Sequence, residues 1–276
     1  MNQLIRSLLF VPASKEETAI RAPSRGADVI ILDLEDGVPA EQKERARTNL
    51  PTLIENLEHQ GAEVWLRPNA LDQDGRADID AVQTHQNPTL LLPKVTSADE
   101  VEAYAEAWFH LKATRENLSM VPTIEDAGGM FVAASIAGQP NVVGLAFGSE
   151  DFATSAGVSA EIDALAVPAQ LVSLAAAANA CPAYGIPDSI SNYHDLERFS
   201  RAAEKARTIG YSGALCIHPA QVNIANDTFR PTEAEIEWAQ SVIAQASETG
   251  AVGSTIGMID APILARAQNI LGSIET

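Results

Sequence analysis

The sequence contains no run of about 18 apolar residues, the length that a helix needs to cross a bilayer. It has only two cysteines, Cys181 and Cys216, and their spacing fits no metal site. The first eleven residues lack the apolar stretch and cleavage site of a signal peptide. These absences predict a cytoplasmic protein with reduced thiols and no membrane partner.

Basic residues are also scarce. The 276-residue chain has 18 Lys and Arg against 37 Asp and Glu, which gives a net charge of −19. This charge argues against nucleic acid or an anionic membrane as the main partner. An anionic substrate would be repelled as well, unless a divalent cation and a few arginines reverse the local field.

Short apolar runs recur along the whole chain. They are continuous rather than alternating, which is typical of parallel strands buried on both faces. We predict eight strands, at residues 8–11, 29–34, 64–66, 90–92, 120–124, 142–147, 183–186 and 214–217.

Amphipathic helical patterns lie between these runs, over residues 40–57, 163–179, 195–209 and 232–246. Pro51 predicts a kink or break in the first of them. Eight strands alternating with helices predict an α/β fold of the (β/α)₈ (TIM) barrel type. A doubly wound open sheet is the alternative, but no Gly-rich dinucleotide fingerprint follows the first strand.

Polar side chains follow the strands. In a barrel, the carboxyl ends of all strands open onto one face, which carries the active site. We therefore expect polar groups from at least six strands to meet there: Asp33, Glu35, Asp36, Arg67, Asn69, Lys94, Glu125, Asp126, Glu150, Asp151, Asp188 and His218.

Carboxylates without clustered His or Cys favour Mg²⁺, or Mn²⁺ in its place, over zinc. A nearby guanidinium is suited to hold a substrate carboxylate with two hydrogen bonds. The residues thus indicate a small carboxylate-bearing substrate that chelates a divalent metal.

The polar residues stand within longer motifs. These are Arg6-Ser-Leu-Leu-Phe-Val-Pro12, Ile31-Leu-Asp-Leu-Glu-Asp-Gly-Val38, Leu66-Arg-Pro-Asn69, Leu92-Pro-Lys94, Phe147-Gly-Ser-Glu-Asp151, Cys216-Ile-His-Pro-Ala-Gln221 and Gly257-Met-Ile-Asp260. In order and spacing, the chain resembles the citrate lyase β-subunit (HpcH/HpaI aldolase/citrate lyase) family over nearly its whole length.

The resemblance implies a role for each matching residue. Glu125 and Asp151 would be the direct Mg²⁺ ligands. Glu35 and Asp36 would support the metal through its waters. Arg67 would hold the substrate carboxylate, with Lys94 in the same pocket.

The resemblance also implies how the chain is organised. Residues 1–230 would form the barrel, and residues 231–276 a C-terminal helical extension of the same domain that reaches a neighbouring subunit. There Asp260 would act as the acid/base, in a homotrimer or a hexamer of two trimers. Coenzyme A would lie along Phe10 and Arg21.

The activity implied is cleavage of a malyl-, citramalyl- or citryl-CoA type of 3-hydroxyacyl-CoA into an acyl-CoA and a 2-oxo acid. Two further functions stay open. One is a metal-dependent aldolase on free 4-hydroxy-2-oxo acids. The second is a citrate lyase β subunit that needs an acyl-carrier partner.

Simpler structural roles also stay open for several residues. Asp33 could belong to a solvated turn, Arg67 could neutralise a barrel carboxylate, and Lys94 could form a buried ion pair. We expect Asp126 and Glu150 to act as caps or supporting groups rather than metal ligands. His218, before Pro219, is expected to be structural.

Overall fold

The computed structural model describes residues 4–82, 88–111, 118–249 and 259–274. Its contacts divide the chain into two compact units. The barrel unit is Ile5–Phe229, and a smaller C-terminal unit is formed by the chain from Arg230 onward. In the described part of the chain, no helix is both long and apolar enough to span a membrane.

Eight parallel strands form the barrel, as the apolar runs predict. They are β1 (Ser7–Pro12), β2 (Val29–Asp33), β3 (Glu63–Arg67), β4 (Thr89–Leu92), β5 (Ser119–Ile124), β6 (Leu145–Phe147), β7 (Ala183–Tyr184) and β8 (Ala214–Cys216). From β1 to β7, each strand pairs with the next along the chain, and β1 also pairs with β8.

The sheet closes between β7 and β8. Ser212 N donates to Ala183 O at 2.8 Å, Gly185 N donates to Gly213 O at 2.9 Å, and Tyr184 and Gly213 form a parallel bridge. This closure confirms the (β/α)₈ barrel and excludes the doubly wound open sheet. Strand β7 is shorter than predicted because Gly185 leaves the extended conformation at a φ of +136°.

Helices surround the barrel. They are α1 (Glu16–Arg21), α2 (Ala40–His59), α3 (Gly75–Ala81), α4 (Ala98–Leu111), α5 (Ala127–Ala137), α6 (Ser149–Ala156), α7 (Ile162–Ala178), α8 (Leu196–Thr208) and α9 (Pro219–Thr228), with a short 3₁₀ helix at Ala22–Arg25. Of the two outcomes predicted at Pro51, a kink or a break, the break is wrong, because α2 continues through this residue. The buried side chains Leu50, Leu53 and Leu57 hold both halves of α2 against the core.

The C-terminal unit contains two helices, α10 (Glu233–Thr249) and α11 (Ala261–Gly272). They pack together around Ala239, Val242 and Ala267. The predicted start of α10 is confirmed, since Glu235 N donates to Thr232 Oγ1 at 3.2 Å.

The barrel interior is filled by one face of each strand. Its apolar cluster contains Leu8, Val29, Ile31, Trp65, Leu91, Val121, Ala146, Tyr184 and Leu215. Side chains two residues further along a strand point the same way. Phe10, Asp33, Arg67 and Thr123 therefore lie above this apolar floor, toward the carboxyl ends of their strands.

Candidate active site at the carboxyl ends of the strands

A cavity of about 410 Å³ opens above the apolar floor of the barrel. All eight strands contribute to its wall, either directly or through the loops that follow them. The lining is Phe10, Pro12, Asp33, Asp36, Gly37, Arg67, Leu91, Thr123, Glu125, Gly148, Ser149, Glu150, Asp151, Ile190, Leu215 and Ile217. This is the face on which barrel enzymes carry their active sites.

Asp33 anchors one side of the cavity. It receives Arg67 Nε at 2.7 Å and Arg67 Nη2 at 2.8 Å, one on each carboxylate oxygen. It also accepts the backbone N–H groups of Glu35 and Gly37, at 2.9 and 2.8 Å. Since both oxygens are used within the protein, Asp33 orients Arg67 and the loop after β2 rather than a ligand.

Arg67 is held from three directions. Besides Asp33, its Nη1 lies 3.0 Å from Glu35 Oε2, and its guanidinium carbon lies 4.7 Å from the centre of the Phe10 ring. Burial opposes its charge, but the hydrogen bond and the charge of Asp33 outweigh burial and raise the pKa of Arg67. The side chain is a fixed cation at the edge of the cavity.

Glu35 is a buried carboxylate next to Arg67. Lys94 Nζ lies 2.7 Å from Glu35 Oε1. Within the described part of the chain, the buried Oε2 of Glu35 accepts no hydrogen bond of good geometry, although the Arg67 guanidinium is near. Burial raises the pKa of Glu35 even though Arg67 and Lys94 oppose the shift. Asp36 is more exposed, lines the cavity, and lies 3.5 Å from Lys94 Nζ.

Lys94 connects the two groups of carboxylates. Its ammonium contacts Glu35 and Asp36, and its backbone N–H donates to Glu125 Oε2 at 3.0 Å. Burial opposes its charge, but Glu35 outweighs burial and raises the pKa of Lys94. A lysine that forms a Schiff base with a substrate must be unprotonated to attack it. The raised pKa of Lys94 therefore disfavours a Schiff-base role for this residue.

Glu125 lies at the end of β5 and is buried. Burial, together with the negative charges of Glu35 and Asp151, raises the pKa of Glu125 to about 8, although Arg67 and Lys94 lower it in part. Room for its side chain depends on Gly148, where a Cβ atom would lie 2.4 Å from Glu125 Cγ. Asp151 approaches from the first turn of α6 and lines the same cavity.

The carboxylates at this cavity fit a hard divalent cation. The candidate ligands are all oxygen, and burial raises the pKa of Glu125, with a further contribution from the negative charges of Glu35 and Asp151 that a bound cation would offset. Within the described ranges, no three His, Cys, Asp or Glu side chains come together as a complete metal cage. Mg²⁺ commonly uses one or two protein carboxylates with waters and substrate oxygens, so Glu125 and Asp151 are a suitable pair.

The structure therefore brings most of the predicted site residues together: Phe10, Glu35, Asp36, Arg67, Lys94, Glu125 and Asp151. Arg21 lies on α1 outside the cavity lining, with an exposed side chain 3.8 Å from Glu17. Asp260 lies in the C-terminal unit, where it caps α11 by accepting Ile263 N at 3.1 Å. Part of the motif around Asp260, residues 257 and 258, falls outside the described residues.

Several more strand-end polar residues have structural partners instead. Asp126 caps α5 through Gly129 N, and His218 caps α9 through Ala220 N. Asp188 pairs with Arg198, its Oδ2 lying 3.0 Å from Arg198 Nε. Glu150 lines the cavity and accepts hydrogen bonds from Ser189 Oγ and Ser191 N. We expected polar groups from at least six strands to meet at one mouth; those after β2 to β6 do, whereas Asp188 after β7 and His218 after β8 are not among the lining residues.

Thr123 is a cavity residue that the sequence motifs do not reveal. It lines the cavity two residues before Glu125, and its buried hydroxyl has no hydrogen-bond partner among the described residues. The signal that could have found it is the two-residue period of a strand, which places Thr123 and Glu125 on the same face.

Known proteins resemble this chain over most of its length. The sequence profile of the HpcH/HpaI aldolase/citrate lyase family matches residues 6–219. A (3S)-malyl-CoA thioesterase from Cereibacter sphaeroides is 36% identical over 261 residues, which cover 94% of this chain and 89% of the relative. The human mitochondrial citramalyl-CoA lyase is 28% identical, covering 96% and 84% of the two chains.

A solved structure resembles the fold closely. The crystal structure of the protein CitE from Mycobacterium tuberculosis, in complex with magnesium, acetoacetate and coenzyme A, aligns with a TM-score of 0.79. Its sequence identity is 29%, and the alignment covers 99% of each chain.

Proposed function

Since the chain belongs to the HpcH/HpaI aldolase/citrate lyase family, we propose that it is a Mg²⁺-dependent carbon–carbon lyase acting on small 3-hydroxyacyl-CoA thioesters. The products would be an acyl-CoA and a 2-oxo acid. The observation that carries this proposal is the meeting of the buried Glu125 with Asp151 in one cavity whose edge carries the fixed cation Arg67.

The relatives support the class of substrate. Two of them carry the names of malyl-CoA and citramalyl-CoA enzymes, and CitE was solved with magnesium, a small oxo acid and coenzyme A together. Malyl-, citramalyl- and citryl-CoA share a hydroxyl carbon that becomes the carbonyl of a 2-oxo acid. A cavity of about 410 Å³ has room for the acyl part of such a substrate.

Each residue in the cavity then has a role. Glu125 and Asp151 would hold Mg²⁺, or Mn²⁺ in its place, while Glu35 and Asp36 orient its waters. The bound metal would polarise the substrate oxygen that becomes the 2-oxo group. Arg67, fixed by Asp33 and stacked on Phe10, would hold the substrate carboxylate in the orientation that cleavage requires.

The proton transfer needs a further group. Cleavage removes the hydroxyl proton and delivers a proton to the acyl carbon, so an acid/base must reach both. We assign this role to Asp260 of a neighbouring subunit in a homotrimer or hexamer, with residues 231–276 as the extension that carries it. Coenzyme A would lie along Phe10 and Arg21 in this cytoplasmic enzyme.

An apolar helix surface in the barrel unit supports self-association. The exposed side chains of Phe131 on α5 and of Val167, Leu171 and Leu174 on α7 present no charge, on a chain whose net charge is −19. Exposed apolar surface of this kind often marks an interface. Two copies of a strongly acidic chain would repel each other least where the surface in contact carries no acidic side chains.

A second candidate reaction is hydrolysis of the thioester. It is favoured by the name of the relative from Cereibacter sphaeroides, a malyl-CoA thioesterase. Hydrolysis would release free coenzyme A and a hydroxy acid, without a 2-oxo acid. An aldolase on free acids and a carrier-dependent citrate lyase β subunit are two more functions that the same cavity could serve.

A substrate-panel assay separates these functions. Purified protein would receive malyl-, citramalyl- and citryl-CoA and free 4-hydroxy-2-oxo acids, with Mg²⁺ or with EDTA. We expect Mg²⁺-dependent release of a 2-oxo acid and an acyl-CoA from one thioester, and its loss in Glu125→Gln. Free coenzyme A without a 2-oxo acid would indicate a thioesterase, and activity on free acids alone would indicate an aldolase. Inactivity on every compound would leave the carrier-dependent subunit.

A further inference from the structure

Lys94 makes contacts that no other cation near the cavity makes among the described residues. Its side chain reaches Glu35 Oε1 at 2.7 Å and Asp36 Oδ2 at 3.5 Å. Its backbone N–H donates at 3.0 Å to Glu125 Oε2. One residue therefore touches both the carboxylates expected to orient water and a carboxylate expected to hold the metal.

This placement requires an unfavourable backbone conformation. Lys94 has a φ of +51°, in the left-handed region that side chains other than glycine rarely occupy. Such conformations are strained and persist only where the surroundings determine them. Here the conformation turns the N–H toward Glu125 while the side chain reaches back to Glu35.

The two cations of the site differ in freedom. The Arg67 side chain is 15% exposed and is fixed by two hydrogen bonds to Asp33 and by the Phe10 ring. The Lys94 side chain is 49% exposed, and its ammonium sits on a flexible four-carbon stem. Lys94 is therefore the cation that can leave its carboxylates without disturbing the rest of the cavity.

The charges explain what such movement would do. Carboxylates outnumber the two cations Arg67 and Lys94 at the cavity; they are Asp33, Glu35, Asp36, Glu125, Glu150 and Asp151. A positive charge held close to Glu125 opposes the binding of a second cation there, whereas it favours the binding of an anion.

We infer that the Lys94 ammonium is a movable counter-cation, which holds Glu35 and Asp36 in the metal-free site, weakens Mg²⁺ binding, and turns to the carboxylate of a bound 2-oxo acid. This inference rests on the proposed function, because it takes the metal and the anion from it. The consequence is a pair of opposite effects: the ammonium lowers the affinity for Mg²⁺ and raises the affinity for the 2-oxo acid.

Calorimetric titration of the full chain tests both effects. Metal-free protein is titrated with MgCl₂, and Mg²⁺-saturated protein is then titrated with pyruvate. In Lys94→Met we expect Mg²⁺ to bind about tenfold more tightly and pyruvate about tenfold more weakly, as loss of one nearby charge predicts. Lys94→Arg, which keeps the charge, should move both affinities by less.

Two further variants test whether the ammonium charge of Lys94, rather than its backbone, causes the two shifts in affinity. Lys94→Gly adopts a positive φ without strain and keeps the N–H that binds Glu125, so it should reproduce Lys94→Met if the charge is responsible. Lys205→Met removes a lysine from α8, away from the cavity lining, and should leave both affinities unchanged. Circular dichroism of each variant confirms folding.

The outcomes separate the inference from the proposed function. Unchanged or weaker Mg²⁺ binding in both Lys94→Met and Lys94→Gly would overturn the inference. Parallel loss of Mg²⁺ and pyruvate binding would do so as well, since it would show a purely structural role. Wild-type protein that binds no Mg²⁺ would overturn both ideas. The expected opposite shifts in a protein inactive on every thioester would support the inference and reject the proposed reaction.

Discussion

At the scale of single residues, Gly148 determines where Glu125 can lie. A Cβ atom at this position would stand 2.4 Å from Glu125 Cγ and 2.6 Å from its Oε1. Gly148→Ala must therefore displace the Glu125 carboxylate. A displacement near 1 Å at a catalytic group costs on the order of 100-fold in rate. We expect a loss of this size in kcat/KM and weaker Mg²⁺ binding, measured by steady-state kinetics and calorimetry.

Gly272→Ala is the matched control for this prediction. Gly272 ends α11, and a Cβ atom there would meet no atom within 4 Å. The control should keep wild-type kinetics. Wild-type Mg²⁺ affinity in Gly148→Ala would mean that Glu125 does not ligate the metal.

The same carboxylate gives a prediction about pH. In the metal-free protein, the pKa of Glu125 is raised from 4.5 to about 8. Between these values the folded chain keeps a proton that the unfolded chain has released. The stabilising contribution of this proton is therefore complete at low pH and is lost as the pH rises through the window. In Glu125→Gln this loss should be absent.

Urea denaturation in EDTA, at several pH values from about 4.5 to about 8, checks this expectation. The free energy of unfolding of the wild type should fall more steeply with rising pH than that of Glu125→Gln. Parallel curves for the two proteins would show that Glu125 is ionised throughout. Binding of Mg²⁺ at neutral pH should also release protons, since a ligating carboxylate is deprotonated.

At the scale of elements, α2 contains a proline that the helix tolerates rather than requires. Pro51 lacks the N–H that would bond to the carbonyl four residues earlier, and its ring crowds the preceding turn. The apolar face of α2 offsets this cost by packing on the core. We expect Pro51→Ala to raise the free energy of unfolding by about 1–2 kcal/mol. The substitution removes the penalty of a proline inside the helix, but it also gives the unfolded chain more conformational freedom, which cancels part of the gain.

Urea denaturation measures this change, with Pro168→Ala in α7 as a second case of a proline inside a helix. Neither residue lines the cavity, so kcat/KM should stay unchanged in both. Lower stability in Pro51→Ala would mean that the surrounding packing is fitted to the proline.

At the scale of the whole molecule, the proposed assembly predicts complementation between two inactive variants. Glu125→Gln lacks a metal ligand, and Asp260→Asn lacks the proposed acid/base. If Asp260 serves a neighbouring subunit, mixed oligomers contain sites that combine an intact barrel with an intact Asp260. Random mixing in equal amounts would make about a quarter of the sites complete.

Co-expression of the two variants with different affinity tags, followed by tandem purification, provides the mixed oligomers. We expect recovery of part of the wild-type activity, against none for each variant alone. Inactive mixed oligomers, with light scattering confirming their assembly, would show that Asp260 does not act across subunits.

The sequence by itself determined the eight parallel strands and most of the membership of the site, and closure of the sheet then decided for the barrel over the open sheet. Eight apolar runs required strands buried on both faces, and their order along the chain required parallel neighbours. Their positions at the strand ends then predicted that Arg67 and Glu125 lie at the mouth, and the resemblance to a known family added Phe10. The strands and their polar ends follow from local pattern and chain order, so they needed no knowledge of tertiary contacts.

Only the tertiary structure decided which polar groups meet and which are used elsewhere. Asp33 and Arg67 are 34 residues apart, and their pairing depends on the register of β2 and β3. Asp188 pairs with Arg198, so it does not join the carboxylates of the cavity. Pairing depends on the angles at which strands end and loops turn, and the raised pKa of Glu125 depends on its burial and on the neighbouring charges of Glu35 and Asp151. Such three-dimensional arrangements are set by packing, which no local pattern in the sequence records.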